Sequence, residues 1–157
     1  MVIFMLNIRK INIFDANYLY NLYINHLTKS AKAPLDEPQD MDKFSELLGK
    51  LIADPDYHLL VGEIDDKIVS SVTLIVIRNL THNLRPYALI ENVVTHEDFR
   101  NKGYASALIE RASQIAEENN CYKIMLMTGS KKESTLRFYE KCGFNRNDKT
   151  GFIKWIL

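Results

Sequence analysis

The sequence predicts a single domain, residues 1–157, of the α/β (α+β) class, built on a mixed, partly antiparallel sheet. Apolar residues recur at a period near two in some stretches and near 3.6 in others, so strands and helices are both present. Their order, β-α-α-β-β-β-α-β-α-β-β, mixes hairpins with helical crossovers. A doubly wound dinucleotide fold would instead alternate strand and helix from the start. The length is one domain's worth and buries a substantial core.

Taken in order, residues 3–8 read as a short strand. Asp15 suits a helix cap, and Ala16, Leu19, Tyr20, Tyr23 and Leu27 follow at helical spacing. Residues 29–39 contain Pro34 and Pro38 and read as a loop. Asp40 caps a second helix that carries Phe44, Leu47, Leu48 and Leu51 on one face and ends at Asp54-Pro55. Residues 57–64 and 67–77 are strand-like runs joined across Asp65-Asp66, a tight-turn signal. After the polar stretch 78–86, an apolar strand covers residues 88–94. Beyond it Ala105, Leu108, Ile109, Ala112, Ile115 and Ala116 form one helical stripe. Residues 122–128 form another strand, and residues 133–142 a short helix stopped by Gly143 in a left-handed cap. Residues 144–146 and 151–156 read as a closing hairpin.

Composition removes several function classes. Twenty basic and twenty acidic side chains cancel, so no global field draws nucleic acid or an anionic membrane. The apolar runs fall far short of the ~20 residues a span requires. Residues 1–6 are apolar but lack a basic leader and a small-residue cleavage site, so they read as the approach to a strand and not as a signal peptide. Two cysteines, Cys121 and Cys142, form no C-x-x-C pair, and the four histidines are scattered, so metal-ligand spacing is absent. Both cysteines read as small hydrophobes in a reducing compartment, with the cytoplasm as the default location.

The informative stretch joins the strand at 88–94 to the following helix through Arg100-Asn101-Lys102-Gly103-Tyr104-Ala105. Backbone N–H groups at a helix start lack intrahelical partners and carry partial positive charge, so such a turn suits an anion. Walker and Rossmann strings, G-x-x-x-x-G-K-[ST] and G-x-G-x-x-G, are both absent. What remains is R-x-x-G-x-A, a string that about one chain in ten of this length would carry by chance. The signal sharpens downstream, where residues 138–144 spell F-Y-x-x-x-G-F.

Together the two strings and the element order resemble the GNAT superfamily of acetyl-CoA-dependent N-acetyltransferases. Residues 87–94 and 120–124 look like the glucosamine-6-phosphate N-acetyltransferase branch. The resemblance spans residues 3–156. It implies a twisted, largely antiparallel sheet of six to seven strands flanked by about four helices, with acetyl-CoA as co-substrate and no metal. It also implies a small-molecule or peptide amine as acceptor.

By that resemblance Arg100, Asn101, Lys102, Gly103, Tyr104, Ala105 and Ser106 hold the coenzyme's pyrophosphate, largely through backbone N–H groups. Val93, Val94 and Thr95 would pair with the pantetheine arm and polarise the thioester carbonyl. Tyr139 falls on the family's tyrosine position and would protonate the departing thiolate. Glu91 is the candidate general base, directly or through water. Glu91 and Asn92 are adjacent polar residues pointing to opposite faces of an otherwise apolar strand, so each needs a partner or a task. Structural satisfaction of Glu91 stays open beside the catalytic reading. Ser134 stands where the family often has asparagine, and it either contacts the coenzyme or caps its helix. The acceptor site falls to residues 28–39 and 78–87, with Arg78, His82 and Arg85 as candidate anion ligands. A catalytically silent acyl-CoA sensor is the alternative of another class. The oligomeric state stays open, and the resemblance offers a homodimer through the apolar tail 151–157 as one assembly.

Overall fold

Four consecutive strands make an antiparallel meander: β1 (Asn7–Lys10), β2 (Tyr57–Ile64), β3 (Lys67–Ile77) and β4 (Tyr87–Thr95). A fifth, β5 (Ile124–Leu126), follows β4 in the sheet order. The helices are α1 (Ala16–His26), α2 (Met41–Ala53), α3 (Tyr104–Glu118) and α4 (Glu133–Lys141). This computed structural model describes residues 5–28 and 40–156. By its internal contacts the chain forms two compact units, Met1–Met125 and Leu126–Leu157.

Both faces of the sheet in the first unit are covered. Helix α3 packs on β2, β3 and β4, and its stripe of Leu108, Ile109, Ala112, Ile115 and Ala116 is buried as the periodicity predicts. Gly62 makes that close approach possible, since a Cβ there would lie 2.9 Å from Leu108 Cδ1 and 2.9 Å from Leu6 Cδ1. On the opposite face, Ala16, Leu19 and Leu22 of α1 and Leu48 of α2 form a core cluster with Leu59, Val61 and Val94. The register is consistent with this division, because Leu59 pairs with Thr73 and Val61 with Ser71, and directly paired residues share a face.

Five strands stand among the described residues where six to seven were expected. The closing hairpin is the correction: residues 144–146 and 151–156 form no strand. The Asn145 side chain accepts from the Asn147 amide at 2.8 Å and donates to Asp148 at 3.0 Å. Such local side-chain bonding offers the backbone a turn in place of a ladder. The first strand is displaced to Asn7–Lys10 from the expected 3–8, of which residues 3 and 4 lie outside the described residues.

Asp15 also differs from expectation. Asn12, not Asp15, caps the helical entry, through a 3-10 turn at Ile13–Asp15. Asp15 closes the capping box by accepting from the Asn12 amide at 2.9 Å. Its carboxylate further binds Arg9 at 2.6 Å, and Arg9 reaches Glu63 at 2.7 Å, so β1, β2 and the start of α1 are tied by one guanidinium. That cation holds the Asp15 carboxyl below its ordinary value. Asp40 does cap α2, accepting from Asp42 and Lys43 amides. Asp65 and Asp66 both adopt positive φ, as a two-residue hairpin turn requires.

Candidate active site

Strand β4 carries an irregularity that the sequence reading missed. Thr73 pairs with Glu91 and Ser71 with Val94, so two steps on β3 face three on β4. The extra residue is a β-bulge, and Asn92 sits in it at φ 52°. Only the residue type signalled this in advance, since Asn tolerates the left-handed region better than most. The expectation that Glu91 and Asn92 simply alternate across a regular strand is therefore corrected. Asn92 is exposed at the bulge, whereas Glu91 is half-buried on the face covered by α1 and α2.

Glu91 makes no hydrogen bond or ion pair with any described residue. A half-buried carboxylate without a protein partner is unfavourable unless water or a ligand serves it. Beyond the bulge the strand is firmly held. The Ser70 hydroxyl donates to the Val94 carbonyl at 2.9 Å and lies 2.9 Å from the Thr95 hydroxyl. Arg100 Nε donates to the Thr95 carbonyl at 3.1 Å. The carbonyls of Val94 and Thr95 are thus engaged, and Val93 is half-buried beside the bulge. Along its other edge β4 meets β5 near its own beginning, where the Ala88 amide donates to the Lys123 carbonyl at 2.9 Å. With three residues against nine, β5 can cover only part of that edge.

A 3-10 turn at Glu97–Phe99 then delivers the chain to Arg100. Asn101 adopts φ 61° and Gly103 φ 81°, two left-handed steps that swing the backbone into α3. Gly103 is the N-cap and brings no capping side chain. Helical hydrogen bonding begins with the Ala107 amide donating to the Gly103 carbonyl at 3.0 Å. A Cβ at Gly103 would meet nothing within 4 Å, so glycine is required here by φ, and the space before the helix start is open. Arg100 and Lys102 are exposed at this mouth, with the Lys102 ammonium 4.9 Å over the Phe99 ring. Tyr104, Ala105 and Ser106 form the half-buried first turn.

In the second unit, α4 ends as its string requires. Gly143 at φ 92° reverses the chain, and the Phe144 amide donates to the Tyr139 carbonyl at 3.1 Å. The Tyr139 ring is thereby bracketed by Phe138 and Phe144, at centroid distances of 4.9 and 6.4 Å. Ser134 is exposed and does not cap α4, since Lys132 occupies that position and Ser134 lies within the first turn. Five residues along a helix rotate the side chain by about 140°, so Ser134 and Tyr139 leave α4 on different faces.

The candidate acceptor ligands have structural engagements. Arg78 pairs with Asp56 at 3.3 Å. His82 stacks on Tyr122 with centroids 3.9 Å apart. Arg85 donates to the Asn120 and Cys121 carbonyls just beyond α3. Residues 29–39, the rest of the expected acceptor site, lie outside the described residues. The described residues contain no group of three or more His, Cys, Asp or Glu side chains arranged to hold a metal, and no helix long and apolar enough to cross a membrane.

Comparison with known proteins gives this geometry a context. The family model described as Acetyltransferase (GNAT) family matches residues 18–144, a span containing β4, the turn, α3 and the F-Y-x-x-x-G-F string. Glucosamine 6-phosphate N-acetyltransferase 1 of Dictyostelium discoideum is 26% identical over 144 residues, 90% of this chain and 85% of that protein. The solved structure of an acetyltransferase from Agrobacterium tumefaciens str. C58 is similar with a TM-score of 0.80 and 33% identity, covering 95% of this chain and 99% of the other. Glucosamine-6-phosphate N-acetyltransferase of Arabidopsis thaliana is similar with a TM-score of 0.81 over 96% of this chain and 98% of that one. At 22% identity that likeness is one of fold.

Proposed function

The chain belongs to the GNAT acetyltransferase family and is an acetyl-CoA-dependent N-acetyltransferase, and from that premise we propose that it transfers the acetyl group directly to a primary amine of a small molecule or peptide. The observation that carries this reading is the turn before α3. A 15-residue helix begins at an uncapped glycine with open space before it and two exposed cations beside it. Its first amides and its dipole suit a pyrophosphate, and Arg100 and Lys102 add charge. Arg100 is held by the Thr95 carbonyl through Nε, which leaves its terminal nitrogens for the phosphate.

Acetyl-CoA supplies an activated thioester whose carbonyl gains negative charge as the amine attacks. The amide groups of Val93, Val94 and Thr95 are the donors for the pantetheine arm and for that oxyanion. An acceptor amine is an ammonium ion at neutral pH and must lose a proton before it attacks. Glu91 takes that proton, directly or through water, a role consistent with a carboxylate that has no described protein partner. Tyr139 donates its phenolic proton to the departing thiolate. The reference values for phenol and thiol differ by only about 1.5 units, so the transfer is not steeply uphill. Ser134 is retained as a coenzyme contact through its exposed hydroxyl.

A second, narrower reading takes glucosamine 6-phosphate as the acceptor, and the Dictyostelium relative favours it. Thiol release from acetyl-CoA tests both, across glucosamine 6-phosphate, spermidine, kanamycin, free amino acids and a peptide amine. Amine-dependent release is expected. Tight acetyl-CoA binding with no amine raising the rate above hydrolysis would leave a sensor in place of an enzyme. Tyr139→Phe should lower kcat while acetyl-CoA affinity holds, and an unchanged kcat removes Tyr139 as the acid. Glu91→Gln should displace the acid limb of kcat/KM to higher pH, and an identical profile removes Glu91 as the base.

A further inference from the structure

We infer that Ser70 is a positioning residue for coenzyme binding: it fixes the end of β4 from inside the sheet and, through Thr95, places the Arg100 guanidinium at the pyrophosphate. The inference rests on the reading of the turn before α3 as the pyrophosphate site. Ser70 is 0% exposed and pairs with Gly62 on one side and Thr95 on the other. Directly paired residues share a face, and a Cβ at Gly62 would meet Leu108, so Ser70 lies on the face that α3 covers. Its hydroxyl donates to the Val94 carbonyl at 2.9 Å and lies 2.9 Å from the Thr95 hydroxyl. A serine hydroxyl has one proton and a carbonyl only accepts, so the Thr95 hydroxyl is the donor in the second bond. Arg100 then reaches back five residues, its Nε donating to the Thr95 carbonyl at 3.1 Å.

This line of hydrogen bonds runs from a core serine to an exposed cation. It acts where the sheet gives way to the turn. The pairing of β4 with β3 is interrupted by the bulge at Asn92 and ends at Thr95. One more backbone bond follows, from the His96 amide to the Val69 carbonyl at 2.8 Å. The turn beyond is closed within itself. The Asp98 amide donates to His96 Nδ1 at 3.2 Å, the Phe99 amide to the His96 carbonyl at 2.9 Å, and the Arg100 amide to the Glu97 carbonyl at 3.3 Å. A turn bonded within itself takes its position from the strand end that carries it, so the place of the guanidinium follows Thr95. Arginine meets phosphate through a planar fork whose geometry is exacting. Alanine at position 70 would take the donor from the Val94 carbonyl and the acceptor from the Thr95 hydroxyl, and so loosen that fork. Ser70 itself is too deeply buried to touch the coenzyme.

Ser70→Ala should raise the calorimetric Kd of coenzyme A about ten-fold, a readout that needs no acceptor. With the fastest amine of the panel above, KM for acetyl-CoA should rise by the same factor. KM for S-acetylpantetheine, which has no pyrophosphate, should stay within about two-fold, because the ladder still holds the strand. Arg100→Ala should show the same donor selectivity, and adding Ser70→Ala to it should weaken binding no further, since the serine acts through the arginine. Thr95→Val removes the hydroxyl bridge without altering β3 and should shift the two donors in the same sense, which keeps the test open should Ser70→Ala unfold. Equal losses with both donors, additive losses in the double variant, or a lower urea midpoint with both donors unchanged would show a residue that only fills the core, and would overturn the inference. If Gly103→Glu and Arg100→Ala both leave coenzyme A affinity intact, the reading of the turn falls. If Gly103→Glu abolishes binding while Ser70→Ala or Arg100→Ala leaves it intact, only the present inference falls.

Discussion

Gly103 shows what single residues contribute. Its φ of 81° is accessible to glycine at little cost, and a side chain there strains the backbone by about 1 kcal/mol. Gly103→Glu adds a negative charge at the mouth of the proposed anion site. It should abolish acetyl-CoA binding by calorimetry while the far-ultraviolet circular dichroism stays native, and retained affinity would remove the turn from the site. His58 contributes in a different way. It is 8% exposed on β2, and neither ring nitrogen finds a partner among the described residues. Burial holds the imidazole below its ordinary 6.5. As pH falls the unfolded chain therefore binds the proton first. Stability from this group is complete above pH ~6.5 and declines below it, by at most about 1.4 kcal/mol per pH unit. Urea midpoints should drop more between pH 7.5 and 5.5 in the native protein than in His58→Leu, and the His58 Cε1–H resonance should titrate below 6.5. Equal drops with an ordinary titration would contradict this.

Secondary elements were legible wherever periodicity or a cap was unambiguous. The stripe of α3, the Asp40 cap and the Asp65-Asp66 turn all follow from residue type and spacing. The bulge in β4 was not legible, because it depends on the register against β3, a strand about twenty residues earlier. It is nevertheless the feature that sets Glu91 and Val94 on the α1 face, each opposite its β3 partner. Since Asn92 sits at φ 52°, Asn92→Gly should stay within about 0.5 kcal/mol of wild type, while Asn92→Val should cost about 1–2 kcal/mol. Urea unfolding of the two variants distinguishes this from a regular strand, in which valine would be the better residue. The expected closing hairpin failed for the opposite reason. Residues 151–156 have a strand-like composition, but the asparagine-rich turn before them satisfies its own polar groups locally.

At the scale of the molecule, that tail leaves apolar side chains exposed: Phe152 at 90%, Trp155 at 67% and Ile156 at 85%. Strand-forming residues left unpaired are an association surface, and we expect a homodimer through residues 151–157. Sedimentation at tens of micromolar should show a dimer that Trp155→Glu weakens, and a native monomer at that concentration would exclude the expected assembly. The Arg9 bridge operates at this scale as well, since Asp15 and Glu63 come from segments 48 residues apart in chain number.

The sequence alone determined the fold class, the order of the elements as far as α4, the left-handed turn at Gly103 and, through two short strings, the family. These are local properties: periodicity, caps, a glycine at positive φ and motif spacing each sit within a few residues. Tertiary structure decided what depends on partners distant in the chain. It displaced Asn92 into a bulge, left Glu91 without a described protein partner, and set Ser70 against Val94 and Thr95, 24 and 25 residues further along the chain. A hydroxyl in a strand reads the same in one dimension whether it is solvated, bonded or buried without a partner. Only the packing of β3 against β4 and the helices distinguishes these states, and with them whether the residue serves the core or the site.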